Sequence, residues 1–66
     1  MPSADPRAQL SAIASTLEDV TGRVTQLAEG LDSEETEIAA AALFEVERSL
    51  RAARRSLIRA TRDLSN

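Results

Sequence analysis

Residues 29–36, with the sequence Glu-Gly-Leu-Asp-Ser-Glu-Glu-Thr, separate two segments of helical periodicity in this 66-residue chain. Gly30 predicts the end of the first helix, because glycine adopts the left-handed conformation that often ends a helix at little cost. The next residues predict the start of a second helix. A connection of about four residues makes consecutive helices antiparallel neighbours. We therefore expect an all-α fold, an antiparallel αα-hairpin, with the whole chain 1–66 as one domain.

The first segment carries an uninterrupted heptad repeat of apolar residues. Position a is occupied by Leu10, Leu17, Val24 and Leu31, and position d by Ile13, Val20 and Leu27. This spacing predicts an amphipathic helix that packs through its a and d residues. Asp5 suits the N-cap and Pro6 the first helical position, so we expect a helix over about 6–29 and a turn over about 30–33. Gly22, at position f, is either a tolerated weak point, a kink or a close contact with another chain.

The second segment predicts a helix over about 33–64. It begins with a capping box of Asp32 and Glu35, or with the shifted alternative of Ser33 and Thr36. Position a holds Leu43, Leu50, Leu57 and Leu64, and position d holds Ala39, Val46, Ala53 and Ala60. The small d residues would let two helix backbones approach closely, although alanine is also simply the best helix former.

The composition excludes most kinds of chemistry. The chain has no Cys and no His, so it forms no disulfide and lacks the usual zinc ligands. It also has no Lys, Tyr or Trp, which removes most of the groups that act in acid–base and nucleophilic catalysis. We expect a protein that is not an enzyme and has no catalytic, cofactor-binding or metal-binding residues.

The same sequence predicts a cytoplasmic location. The first six residues carry neither the basic nor the apolar region of a secretory signal. The longest unbroken apolar run covers residues 38–44, which is too short to cross a bilayer. We therefore expect no membrane partner.

A single hairpin of this sequence looks incomplete. The second predicted helix is about 48 Å long against about 36 Å for the first, so we expect it to extend past the first by about two turns at the open end. Phe44 lies off the a/d rows, and small domains without disulfides or metals often need a partner chain. We expect a homodimer that forms a four-helix bundle. The predicted interface residues are Phe44, Leu50, Arg54, Leu57, Ile58 and Leu64.

Charge is segregated along the second helix. Residues 34–47 contain five Glu and no base, whereas residues 48–66 contain six Arg and one Asp. An antiparallel copy of this helix would set acids against bases, which is the self-complementarity that a two-fold dimer requires.

The basic half supports a different function, a small nucleic-acid-binding protein. Its candidate surface consists of Arg48, Arg51, Arg55, Arg59 and Arg62. The net charge of −3 and the single aromatic residue, Phe44, argue against this alternative. A further alternative is one subunit of a helical hetero-complex, whose partner covers the end of the second helix.

The segment Gly30-Leu31-Asp32-Ser33-Glu34-Glu35 between two heptads resembles the turn of the Rop-like hairpin proteins, which dimerise into four-helix bundles. The resemblance implies a dimeric hairpin by analogy and transfers no binding residues. Rop-like proteins contact RNA through their first helix, where this chain has only Arg7 and Arg23. The Ala- and Arg-rich, Lys-free composition is also similar to that of uncharacterised helical-hairpin proteins of actinobacteria.

Overall fold

A computed structural model describes the backbone of residues 5–65 and the side chains of residues 5–64. Helix α1 spans Pro6–Gly30, a short 3-10 turn spans Glu34–Thr36, and helix α2 spans Glu37–Ser65. The two helices pack side by side, and the Cα atoms extend over 51 × 24 × 11 Å. The described residues contain no strand. The predicted all-α helical hairpin is therefore confirmed.

Side chains at both helix starts satisfy free backbone groups. At α1, the Oδ1 atom of Asp5 accepts a hydrogen bond of 3.1 Å from the backbone N–H of Arg7, so Asp5 is the N-cap. After the turn, the backbone N–H of Ser33 donates to Oγ1 of Thr36 over 3.3 Å, and the two hydroxyl oxygens lie 2.9 Å apart. The chain thus uses the shifted Ser33–Thr36 pair for its second start.

Gly30 does not end α1 in the predicted way. No described residue, glycine or other, has a positive φ, so the left-handed conformation expected at Gly30 is wrong. Gly30 is instead the last residue of α1, and Leu31 is the C-cap with φ −90° and ψ 80°. The backbone N–H of Leu31 donates to the carbonyl oxygen of Ala28 over 3.2 Å, which satisfies one of the last helical carbonyls.

The two helices pack through their a and e positions, not through a and d. The three buried residues of α1 are Ala14, Thr21 and Ala28, all at position e. By contrast, the d residues Ile13, Val20 and Leu27 are 48%, 37% and 63% exposed. On α2 the partly buried a and e positions are Ala40, Leu43, Glu47, Leu50, Arg54, Leu57 and Thr61. The expected a/d packing is wrong, because the small e residues of α1 admit the bulky a leucines of α2.

Two cross-helix contacts fix the antiparallel register. Thr25 bonds to Glu47, and Glu18 pairs with Arg54. In both pairs the residue numbers add up to 72, so residue 7 of α1 lies level with residue 65 of α2. The two helices therefore end together at the open end of the hairpin, and the predicted two-turn extension of α2 at that end is wrong.

The extra length of α2 lies at the turn end of the hairpin, where the first residues of α2 extend past the last residue of α1. In the same register Gly30 lies level with residue 42, so the 3-10 turn and the first turn of α2 extend past the end of α1. Ile38, in this extension, is 86% exposed. The extension arises because the chain runs on past Gly30 in residues 31–33 before it reverses.

The hairpin has almost no core of its own. Ala14 and Ala28 are the only apolar residues that are buried among those described, and no large side chain is fully buried. Burial of apolar surface is the main favourable term in folding, and small chains bury the smallest fraction of their surface. The isolated hairpin is therefore marginal in stability.

Candidate interaction surfaces

A continuous groove follows one side of the line where α1 meets α2. One lobe, of about 310 Å³, is lined by Glu18, Thr21, Gly22, Arg51, Arg54 and Arg55. The second lobe, of about 320 Å³, is lined by Ser11, Ala14, Ser15, Arg54, Ile58, Thr61 and Arg62. Arg54 belongs to both lobes, so they form one groove, which we call the Arg groove. Its rims are the b and f positions of both helices, which therefore share one face of the hairpin.

Arg54 occupies the junction of the two lobes. Its Nη2 atom lies 3.5 Å from Oε1 of Glu18, and the two side chains are 39% and 68% exposed. Its Nε atom is buried and has no hydrogen-bond acceptor among the described residues. A long contact to an exposed carboxylate is a weak ion pair, so the guanidinium of Arg54 keeps unused hydrogen-bonding capacity.

Next to Arg51, which lines the first lobe, a network of polar contacts joins α1 to α2. Oγ1 of Thr25 donates to Oε2 of Glu47 over 2.6 Å, and Nη2 of Arg51 donates to the same oxygen over 3.0 Å. These two hydrogen bonds, that from Thr25 foremost, hold the pKa of Glu47 below its usual range. Glu47 is 16% exposed, so this network ties α1 to α2 at the edge of the Arg groove.

The predicted basic surface divides into paired and unpaired arginines. Arg48 pairs with Glu45, Arg51 pairs with Glu47, and Arg59 donates to Oγ of Ser56 over 3.3 Å. Within residues 5–64, Arg55 and Arg62 have no carboxylate within ion-pair distance. Both line the Arg groove. Arg23 and Arg59 likewise have no carboxylate partner among the described residues, but both lie outside the groove.

The opposite face of the hairpin is formed by the d positions of both helices. Because a and e face the other helix and b and f line the Arg groove, the d positions lie on the remaining side. They are Ile13, Val20 and Leu27 of α1 and Ala39, Val46, Ala53 and Ala60 of α2, all of them exposed. We call this surface the apolar face. No charged residue occupies a d position.

Some of the predicted interface residues are partly buried within the hairpin, and the others lie on its surface. Phe44, Leu50, Arg54 and Leu57 are partly buried within the hairpin. Ile58 lies in the Arg groove, and Leu64 is exposed near the end of α2. The sequence analysis did not predict that the d row of α1 lies on the surface of the hairpin. The signal was the seven-residue spacing of Ala14, Thr21 and Ala28, which marks a second row of small residues beside the a row.

Comparisons with protein-family models, with curated proteins and with solved structures found no match to this chain. Neither described helix is long and apolar enough to cross a membrane. Among the described residues, no group of three or more acidic side chains is arranged to hold a metal ion.

Proposed function

We propose that this protein is a non-enzymatic interaction module that homodimerises through its apolar face into a four-helix bundle. The observation that carries the proposal is the exposed row of Ile13, Val20 and Leu27 on the same face as Val46. Helices of a bundle have apolar residues at a and d plus e or g, because they contact two neighbours. Helix α1 has this wide apolar stripe, and α2 covers only its a and e rows.

The spacing of the d rows supports a second copy of this chain as the occupant. In α1, Ile13 and Leu27 are equally distant from Val20 along the helix. A two-fold axis across the helices near Val20 would bring Val20 against the partner's Val20 and Ile13 against the partner's Leu27. In the register of the hairpin Val20 lies level with residue 52, so the same axis would pass beside Ala53 of α2, whose small side chain permits close helix contact. Two-fold interfaces need this self-complementarity.

The charge distribution supports an antiparallel arrangement of the two hairpins. Between Arg23 and Arg48 every charged residue is acidic, and most of these acids lie around the turn. Six of the eight arginines lie in α2 from residue 48 onward, toward the open end. With the hairpins antiparallel, each acidic turn lies beside the basic end of the other copy. A parallel arrangement would place the two acidic turns together, which like charges disfavour.

The size of the apolar face fits a stable dimer. The broad dimensions of the hairpin are 51 and 24 Å, whereas a standard interface buries about 800 Å² per partner. The broad side of the hairpin that carries the apolar face therefore offers enough area for such an interface. Dimerisation would also give the hairpin the apolar core that it lacks alone.

Light scattering at micromolar concentration tests the proposal directly. We expect the wild-type chain to have twice its mass of 7.1 kDa, and Val20→Glu to be monomeric. Ala12→Glu adds the same charge at position c, outside both faces, and should remain dimeric. A folded wild-type monomer at that concentration would contradict the proposal.

A cysteine variant tests the arrangement even where Val20→Glu does not fold. The chain has no cysteine, so Val20→Cys would introduce one thiol per subunit, next to the proposed axis. We expect rapid formation of a disulfide-linked dimer under mild oxidation, because the two Cβ atoms would face each other. Ala12→Cys is the control and should react slowly. Equal rates would exclude the antiparallel dimer.

A further inference from the structure

We propose that the Arg groove binds an acidic peptide segment of a partner protein. Arg55 and Arg62 would receive its carboxylates, and Ile58 would contact an apolar side chain. The groove lies between the two helices of one hairpin and on the face opposite the apolar face. The proposal therefore does not depend on dimerisation.

The groove holds positive charge that the hairpin does not neutralise. Arg55 and Arg62 have no carboxylate partner within residues 5–64, and Arg54 has only its long contact to Glu18. Arg51 and Arg55 are neighbours one helical turn apart, where like charges repel. A guanidinium binds a carboxylate through two parallel hydrogen bonds. An incoming acidic segment would thus satisfy donors and relieve repulsion at once.

The shape of the groove favours a peptide over a single small anion. From Arg51 to Arg62 the groove follows eleven residues of helix, or about 17 Å at 1.5 Å per residue. An extended peptide covers about 3.4 Å per residue, so about five residues would fill it. The lining also mixes Ile58 with the hydroxyl groups of Ser11 and Ser15, which suits a segment with apolar as well as acidic side chains.

The same lining disfavours nucleic acid. Single-stranded nucleic acids bind proteins through aromatic side chains on which the bases stack, in addition to a basic groove. Neither lobe of the Arg groove contains an aromatic residue. Glu18 lines the first lobe as well, and its carboxylate would repel a phosphate backbone. A segment with a few spaced carboxylates can avoid Glu18, whereas a continuous phosphate chain cannot.

Gly22 lies in the wall of the first lobe. A Cβ atom at Gly22 would meet no other atom within 4 Å, so packing inside the hairpin does not require glycine there. Glycine in the middle of an exposed helix is unfavourable. A side chain longer than that of alanine would occupy the first lobe, whose wall contains Gly22.

Fluorescence anisotropy with a defined peptide tests the charge requirement. The probe is a fluorescein-labelled peptide of nine residues that alternates Glu and Leu. We expect saturable binding at low salt and at least a fivefold loss of affinity in Arg55→Gln. Arg59→Gln removes the same charge from position c, outside the groove, and should change the affinity less than twofold. Equal losses in both variants would overturn the proposal, as would equal binding of a peptide with Gln in place of Glu.

Two variants of Gly22 test the location without any change of charge. We expect Gly22→Gln to weaken peptide binding at least fivefold, because its side chain fills the first lobe, and Gly22→Ala to change it less than twofold. Circular dichroism verifies that both variants are folded. If Gly22→Gln binds the peptide like the wild type, the peptide is not in the groove and the proposal fails.

Two further measurements separate this site from other functions. A labelled 12-nucleotide single-stranded RNA should bind at least tenfold more weakly than the acidic peptide, and the opposite order would overturn the proposal in favour of nucleic acid. Light scattering should give the same mass for Arg55→Gln as for the wild type. A loss of dimer in that variant would place the groove in the self-interface. If the wild type is monomeric and still binds the peptide as expected, the dimer fails and the peptide site stands.

Discussion

Thr25 and Glu47 are joined across the hairpin by a hydrogen bond of 2.6 Å from Oγ1 of the threonine to Oε2 of the carboxylate. The same oxygen accepts from Arg51 over 3.0 Å. Both donors stabilise the ionised form of Glu47, and the bond from Thr25 also connects α1 with α2. The ionisation of Glu47 is therefore coupled to the packing of the two helices.

Replacement of Thr25 by Val should destabilise the hairpin and raise the pKa of Glu47 toward its ordinary value of 4.5. The substitution keeps the shape of the side chain and removes the hydroxyl donor, so a partly buried carboxylate loses a partner. Thr16→Val is the matched control, since the hydroxyl of Thr16 bonds only to the Ala12 carbonyl of its own helix. Thermal melts should give a lower Tm for Thr25→Val than for Thr16→Val. Equal Tm values would show that the cross-helix bond contributes nothing.

Stability should fall in acid. Hydrogen bonds lower the pKa of Glu47, and the backbone N–H of Arg7 foremost lowers that of Asp5. A carboxyl group with a lowered pKa in the folded state contributes stability that is fully present above its unfolded pKa. That stability is lost as the pH falls through the folded value. We expect Tm to be level near neutral pH and to decline below about pH 4.5, and the decline should be smaller in Thr25→Val.

If the apolar face is buried in a dimer, two variants at exposed positions of the hairpin should differ in their free energy of unfolding. Leu27 and Ile38 are both largely exposed in the hairpin, but only Leu27 lies on the apolar face. In a dimer Leu27→Ala should cost about 2 kcal/mol, as for a buried leucine. Ile38→Ala should stay within about 0.5 kcal/mol, as for most surface changes. Chemical denaturation at two protein concentrations measures both, and a negligible effect of Leu27→Ala would count against the dimer.

Arg54 and Arg55 should differ although they are adjacent in sequence. Arg54 is partly buried and contacts Glu18 of α1, and truncation of a partly buried arginine also removes packing by its stem, so Arg54→Ala should cost about 1 kcal/mol. Arg55 lies on the groove rim without a carboxylate partner, so Arg55→Ala should change stability by less than about 0.5 kcal/mol. Urea unfolding of both variants makes the comparison. Equal costs would contradict the placement of Arg54 between the helices.

The two glycines should both tolerate alanine. Neither has an atom within 4 Å of the added Cβ, and neither has a positive φ. Gly22→Ala should stabilise the protein by about 1 kcal/mol, the propensity difference within a helix. Gly30→Ala, at the helix end, should be neutral or mildly stabilising. A loss of about 1 kcal/mol or more in Gly30→Ala would instead indicate the left-handed conformation.

The sequence was sufficient for the two helices, because the heptad repeats, the Asp5 cap and the turn are local signals. It did not determine which rows of α1 meet α2. The a, d and e rows of α1 are all apolar or small, and hydrophobic periodicity favours the rows with larger residues. In the structure α2 packs against the e row of α1, since the small side chains of Ala14, Thr21 and Ala28 leave room for another helix. Which row packs against α2 depends on the shapes of both helix surfaces, and the spacing of apolar residues does not predict those shapes.

The register of the two helices and the Arg groove could not be predicted from the sequence for a similar reason. Helix lengths alone suggested that the excess of α2 lay at the open end, but the cross-helix pairs of Thr25 and Glu18 place it beyond the turn. The arginines were recognisable as a basic block. Arg48 and Arg51 pair with Glu45 and Glu47 of their own helix. Arg54 instead pairs with Glu18 of α1, and that pairing could be identified only in three dimensions.

The level ends of the two helices determine where anything attached to this chain would emerge. Because residue 7 lies beside residue 65, a fluorophore attached next to either residue would leave the hairpin at the same end, and the acidic turn lies at the other end. In an antiparallel pair of hairpins with its axis near Val20, the attachments would point in opposite directions, separated by about 40 Å along the helices. Such a pair would hold whatever is attached to its two copies at a fixed separation.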